Sequence, residues 1–275
     1  MGYKASDVVN IVIGEVGYIE KASNAQLDDK TANAGSKNYT KYARDLHKAG
    51  YYNGNKQGVA YCDVGHDWVH WKAAGENKEL AEYVTCQSGD LGAGCTYSMR
   101  YYKTAGRFFK DTPQVGDQIF FGSGNSSTHT GIVIKVDGAR VYTVEFNTSG
   151  DAGEVANGGG VFEKSYPLNY SRIIGYGRPR YDAETQEAPE SDEIVAVGTE
   201  LAEHFDTAKA GAYKVKECSG LMFRTGPGTD RKALATLPAG TDVLCLGHYT
   251  GEWLRVETAD NRVGFCHGDY LIRQG

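Results

Sequence analysis

Six cysteines and seven histidines supply the side chains best suited to act as nucleophile and proton carrier. Cys62 stands out by position. It follows a polar loop, Asn53-Gly54-Asn55-Lys56-Gln57-Gly58, and opens the segment Tyr61-Cys62-Asp63-Val64-Gly65-His66-Asp67-Trp68. A thiol at a helix start meets unpaired backbone N–H groups and the positive end of the helix dipole, and both favour the thiolate. A cysteine so placed is more often structural, so partners must decide. His129, within Ser127-Thr128-His129-Thr130-Gly131-Ile132-Val133, stands at the entrance to an expected core strand. A neutral imidazole there can accept the thiol proton and later return it to a leaving amine. One strand further on, Glu145-Phe146-Asn147 places two polar side chains on one face, because strand side chains alternate with period two. If that strand pairs with the His129 strand, Glu145 or Asn147 can orient the ring and favour its protonated form.

Rival chemistry is weaker. His66-Asp67-Trp68-Val69-His70 is similar to the H-E-x-x-H pattern of zinc proteases, with aspartate in place of glutamate. Two histidines one turn apart can share an ion. Cys62, however, lies eight residues from His70, roughly 12 Å along a helix axis, too far to complete the ligand set. No metal site is expected. Asn157-Gly158-Gly159-Gly160 is expected to be a flexible loop, since no helix start follows to cradle a phosphate. Gly226-Pro227-Gly228-Thr229 reads as a turn. Cys86 and Cys95 are close enough in sequence to bridge, but with no export signal two free thiols are expected.

The elements that must position these residues fall into two groups. Helices are expected over 5–20 (capped by Ser6), 39–49, 62–74 and 98–105. After Pro113 the pattern turns to strands at 116–121, 130–136, 140–146 and 173–176, split by turns such as Asp137-Gly138. Helices followed by an antiparallel sheet predict an α+β domain over 1–181. Residues 182–206 carry nine acidic and no basic groups, a linker composition, with a short helix expected over 199–209. Residues 207–275 show short strands at close spacing with Gly and Pro turns, consistent with a small all-β barrel.

The order and spacing of these motifs resemble a CHAP domain, the cysteine, histidine-dependent amidohydrolase/peptidase family. The resemblance rests on Tyr61-Cys62-Asp63-Val64, Pro113 to Gly116-Asp117 with Phe120-Phe121, His129 to Gly131 with Val133, and Glu145 to Asn147. It implies a papain-like core that cuts peptide or amide bonds of peptidoglycan, with Cys62 as nucleophile, His129 as general base and acid, Glu145 as orienting group and Asn147 as supporting polar residue. Two departures stand out. Gly65-His66 replaces bulky apolar residues after the nucleophile, which predicts looser helix packing or an added polar group near the cleft. Some relatives bind calcium through acids around the cysteine, whereas Asn53, Asn55, Gln57 and Val64 are neutral here. Calcium favours charged oxygen ligands, so no calcium and no other cofactor is expected.

Leu221 to Asp230, the Leu237-Pro238-Ala239-Gly240 turn, Gly251 to Val256, Val263 to Cys266 and Asp269-Tyr270-Leu271 are similar to a bacterial SH3-like domain. That resemblance implies a wall-binding module for bacterial peptidoglycan, Gram-positive in the first instance, with Trp253 expected in the core. Tethering would keep the cleaving domain near its substrate. The net charge of −6 comes from the acidic linker, since residues 1–181 carry 20 basic and 19 acidic groups and residues 207–275 carry nine and seven. With no strongly basic domain, nucleic acid is excluded as main partner. The broken run Val8 to Glu15 is no signal peptide, and no stretch is long enough to span a bilayer. An endolysin type of hydrolase is expected, made in the cytoplasm and released through a membrane lesion opened by another protein. It would act as amidase or endopeptidase. A bacterial autolysin, a conjugation-associated hydrolase and a non-catalytic wall-binding protein are the alternatives.

Overall fold

A computed structural model describes residues 2–88, 93–151, 153–181, 202, 204–209, 211–259 and 262–274. The chain divides into two compact units, 1–186 and 187–275. Among the described residues, no helix is long and apolar enough to cross a membrane.

The first unit is α+β. Its helices come first: α1 (Ala5–Gly14), α2 (Lys41–Lys48), α3 (Cys62–Ala73), α4 (Lys78–Val84) and α5 (Cys95–Thr104). Six strands follow: β1 (Phe108–Phe109), β2 (Gln118–Ser123), β3 (Ser126–Val136), β4 (Arg140–Thr148), β5 (Gly160–Pro167) and β6 (Ile173–Gly177). They form one antiparallel sheet in the order β1-β6-β2-β3-β4-β5. Pairing of β3 with β4 in the register Ile132 to Val144 meets the condition set by the sequence. α3 packs against α1, α2, β3 and β4, and every residue from Cys62 to Trp71 is buried.

Several boundaries differ from expectation for identifiable reasons. α1 stops at Gly14 rather than 20: Glu15 is its C-cap, and Gly17 takes a left-handed φ of +87° that ends the helical path, while the Glu15 carboxylate accepts from Lys41 Nζ (3.0 Å) and the Tyr42 hydroxyl (2.7 Å). Its N-cap is Lys4, not Ser6, and the Asp7 carboxylate reaches back to the Lys4 N–H at 2.8 Å. α4 and β5 were not foreseen; α4 is capped by Asn77, whose Oδ1 accepts from the Leu80 N–H at 2.9 Å. The glycines expected to form a loop at 157–160 deliver the chain into β5, which pairs with β4 along its length.

The second unit is built from strands. β7 (His204–Phe205) pairs with β11 (Asp242–Thr250), and a 3-10 turn spans Thr207–Lys209. The other strands are β8 (Gly211–Val215), β9 (Leu221–Arg224), β10 (Ala233–Leu237), β12 (Trp253–Thr258), β13 (Val263–His267) and β14 (Leu271–Arg273). Their order is β10-β9-β13-β12-β11-β8-β14. The helix expected over 199–209 is therefore replaced in its described part by a strand and a 3-10 turn. The acidic stretch 182–201 lies outside the described residues.

Candidate functional site

Cys62 is the first residue of α3, and its N-cap, Tyr61, offers no side-chain hydrogen bond to the first turn. The first turn of α3 thus has no side-chain cap, and the Asp63 N–H is left to the Cys62 sulfur. Cys62 retains 7% exposure.

His129 lies on β3 and is fully buried, its ring stacked against Phe121 with centroids 5.9 Å apart. Its Nε2–H donates to Glu145 Oε2 at 2.9 Å. Nδ1 is buried without a further hydrogen bond, and Cys62 is the other neighbour that acts on the ring. Burial opposes charge on the ring, but hydrogen bonds and charge from Cys62 and Glu145 overcome it and raise the pKa to about 10. The Cys62 thiol is held well below its ordinary range, first by a hydrogen bond from Cys95 and, against the cost of burial, by the hydrogen bond and charge of His129. Both shifts favour the thiolate of Cys62 and the imidazolium of His129.

Register alone would set Glu145 opposite Gly131, not opposite His129. The Glu145 side chain reaches the imidazole diagonally by crossing Gly131, where a β-carbon would stand 2.5 Å from Glu145 Cγ. This explains the glycine two residues after the histidine. Glu145 is fully buried and further held by Thr143 Oγ1, which donates to Oε1 at 2.6 Å, and by the Tyr166 hydroxyl, which donates to Oε2 at 3.2 Å. Thr143 was discoverable from its period-two spacing to Glu145; Tyr166, on the unforeseen β5, carried no such signal.

Asn147 departs from expectation. It sits at a register shift in β4 with φ +56°, and its Nδ2 donates to Asn157 Oδ1 at 3.3 Å rather than to the His129 ring. The bulge breaks the alternation on which a shared face with Glu145 depended.

Gly65 does the opposite of loosening α3. A β-carbon there would overlap the Phe146 ring, so the glycine lets the helix lie directly on β4. His66 is buried on the helix, with Nδ1 bonded to Asp67 at 3.2 Å, and His70 Nδ1 bonds the Tyr3 hydroxyl at 2.7 Å. Burial lowers His66 to about 4 and pushes His70 down as well, so both are neutral. Among the described residues, no three metal-ligating side chains gather. Gln57, one of the neutral loop residues, clamps the Thr40 backbone in both directions at 2.8 and 2.9 Å.

Two residues behind Cys62 take places that sequence spacing does not predict. Cys95, the first residue of α5, places Sγ 3.3 Å from Cys62 Sγ. Asp63 joins the starts of the two helices: Oδ2 accepts from the Gly94 N–H (2.7 Å) and Ser98 Oγ (2.9 Å), and Oδ1 accepts from Gln118 Nε2 (3.0 Å). Burial raises the Asp63 carboxyl to about 7. All six cysteines are free thiols.

In the second unit, Tyr213, Val215, Phe223, Val243, Val256 and Leu271 form the core. Trp253 is not among them. It is half-buried and lines a groove of about 450 Å³ together with Arg224, His267, Asp269 and Tyr270. The His267 ring stands edge-on to both Trp253 (5.2 Å) and Tyr270 (5.9 Å), giving a row of three rings along the groove. The core role expected for Trp253 is thus corrected.

Residues 22–147 match the family model of the CHAP domain, and residues 219–272 match that of the bacterial SH3 domain. No curated protein matches the sequence. Among solved structures, the chain is similar to the one described as the crystal structure of Ly7917, at 14% identity over 96% of this chain and 91% of that one, with a TM-score of 0.36. The same protein with the hydrolyzing product of MDP aligns at 13% identity over 96% and 92%, TM-score 0.37. NlpC2 from Trichomonas vaginalis aligns at 7% identity over 61% and 47%, TM-score 0.22.

Proposed function

Because the chain belongs to the CHAP-domain proteins and carries a bacterial SH3 domain behind that domain, we propose that it is a peptidoglycan hydrolase that cleaves an amide bond with Cys62 as nucleophile and holds the wall through its C-terminal module. The observation that carries this reading is the buried line from Cys62 to His129 to Glu145, with Glu145 Oε2 at 2.9 Å from the far ring nitrogen. The Cys62 thiolate attacks the scissile carbonyl carbon, and the electron pair of the C=O bond moves to oxygen. The Cys62 backbone N–H at the open end of α3 serves as one donor to that oxyanion. Collapse of the intermediate breaks the C–N bond, and the proton on His129 Nδ1 goes to the leaving nitrogen. His129 then takes a proton from water, the resulting hydroxide attacks the thioester, and cleavage releases the carboxylic product and restores the thiolate–imidazolium pair. Glu145 keeps the ring in place and stabilises its charge throughout, while Asn147 supports the strand around it.

The first assignment to test is N-acetylmuramoyl-L-alanine amidase, with endopeptidase as the alternative. The pairing of hydrolase and wall-binding module supports an endolysin type of enzyme. Incubating the protein and Cys62→Ala with isolated Gram-positive walls, and reading the fragments by mass spectrometry, tests the reading. Amino sugars freed of peptide mark an amidase, and new peptide termini mark an endopeptidase. Lysis by Cys62→Ala at the rate of the unaltered chain would refute the mechanism.

A further inference from the structure

The contact between Cys62 and Cys95 favours the Cys62 thiolate, but Cys95 makes and breaks no bond in the hydrolytic cycle described above. Both sulfurs sit at the first residue of a helix, one on α3 and one on α5, and they approach to 3.3 Å as free thiols. A disulfide requires about 2.04 Å between sulfurs, so closing the gap takes a movement of about 1.3 Å, within reach of side-chain torsions. Their nearness is built rather than incidental. Asp63, next to the nucleophile, holds the Gly94 N–H and Ser98 Oγ on either side of Cys95. Thr96, next to Cys95, exchanges two 3.1 Å hydrogen bonds with the Ser127 backbone on the strand that carries His129. α5 is thus fastened at both flanks of Cys95 to the elements that carry the catalytic thiol and imidazole.

We infer that Cys95 is a resolving thiol for Cys62: under a peroxide oxidant the two close into a reversible disulfide that switches the hydrolase off and shields its nucleophile from irreversible oxidation. The inference rests on Cys62 being the nucleophile. In the first step, the Cys62 thiolate attacks one oxygen of hydrogen peroxide. The O–O bond breaks, and the departing hydroxide takes a proton to leave as water, giving a sulfenic acid on Cys62. In the second, Cys95 loses its proton and attacks the Cys62 sulfur. The S–O bond breaks, and the released hydroxide takes that proton to form a second water. Two thiols and one peroxide become one disulfide and two waters. A dithiol reductant returns the two electrons and both protons by exchange. Without a neighbouring thiol, the sulfenic acid attacks a second hydrogen peroxide, whose O–O bond breaks to leave water, and becomes a sulfinic acid, which a dithiol does not reverse. The 7% exposure of each cysteine admits a small oxidant while excluding bulky thiols that would compete with Cys95.

The full chain, reduced and then exposed to hydrogen peroxide, is quenched, alkylated and digested for mass spectrometry. The expected product is the Cys62 peptide joined to the Cys95 peptide with loss of two hydrogens. Wall cleavage should fall about tenfold or more in step with it and return on adding dithiothreitol. Cys95→Ser and Cys95→Ala, each compared with its own untreated sample, should lose activity to peroxide without recovery and carry sulfinic acid at Cys62. Absence of the linked peptide in the unaltered chain, or full dithiothreitol recovery in both Cys95 variants, would overturn the inference. Linkage is read by mass alone, without wall cleavage. A linked peptide in a chain whose Cys62→Ala variant still lyses walls would therefore refute the hydrolytic reading separately.

Discussion

Among the described residues, the buried titratable side chains of the first unit include His129, Glu145, His70, Asp63, His66 and Asp67, whereas the second sets an apolar cluster around Phe223 and Val256 beside fewer buried polar groups, Arg255, His248 and Thr258. The cost of burying so many titratable groups is substantial unless each finds partners. The carboxylates do: Glu145 is held by three donors, Asp63 by three, and Asp67 by the Tyr52 hydroxyl at 2.5 Å and Gln87 Nε2 at 2.8 Å, while His66 and His70 are pushed toward the neutral form by burial. Chemistry in the first unit therefore sits inside, where low dielectric strengthens each charge. In the second unit the residues available for recognition line a surface groove, where a ligand can be reached without opening the core. One unit needs a fixed interior; the other needs only a stable frame.

The largest test of that contrast removes a buried partner. Glu145→Ala takes away the acceptor at His129 Nε2 and leaves an imidazolium in a closed site. Wall cleavage should fall by ~10²–10⁴-fold, the range lost when a group orienting a catalytic histidine is removed. The pH profile separates this from simple damage. His129 is raised to about 10 partly by Glu145, so activity should hold until alkaline pH approaches that value and then decline as the ring loses its proton. In Glu145→Ala the alkaline limb should move to lower pH. The stability linkage has the same sign: the contribution of a raised histidine is complete below its ordinary value near 6.5 and is lost as pH rises toward about 10. An unchanged alkaline limb in the variant would separate Glu145 from the catalytic histidine.

A smaller effect is expected where the interior is merely close-packed. Gly65→Ala sets a methyl into the Phe146 ring and should cost about 1–3 kcal/mol, read as a lower denaturation midpoint. The double variant with Phe146→Leu should regain part of that loss, since the leucine leaves room at the same contact. Equal stability of Gly65→Ala and the unaltered chain would show that α3 and β4 are less tightly apposed than described.

This contrast also explains what the sequence could reveal. The place of Cys62 at a helix start and of His129 beside Glu145 is legible because helix starts and period-two strands place side chains by simple rules. Asn147 was misplaced because a bulge is a single-residue irregularity that alternation does not foresee. Residue preference points to Ser6 as the cap that Lys4 and Asp7 provide, two residues away, because local preference defines such boundaries loosely. Gly65 looked like a weakness because its value lies in a contact with Phe146, 81 positions along the chain and beyond any local pattern. The sequence sets Cys95 beside Cys86 and hides its nearness to Cys62 for the same reason: 33 residues separate the two, and only the packing of two helix starts brings the sulfurs together. Local geometry was readable; long-range packing was not.

Trp253 gives the mildest test, and it bears on the second unit alone. Hydrophobicity suggested a core role, yet the indole lines the groove beside His267 and stands outside the apolar cluster. A half-buried aromatic in a concave site is the type of residue that dominates binding when truncated. Trp253→Ala should therefore weaken sedimentation with isolated walls by about tenfold, while cleavage of a small soluble muropeptide stays as in the unaltered chain. Trp253→Phe, which keeps a ring against His267, should retain most of the binding. If Trp253→Ala bound walls as well as the unaltered protein and lost stability instead, the indole would be structural after all. The groove would then have no part in anchoring, and the difference between an interior that reacts and a surface that binds would have to be sought elsewhere on this module.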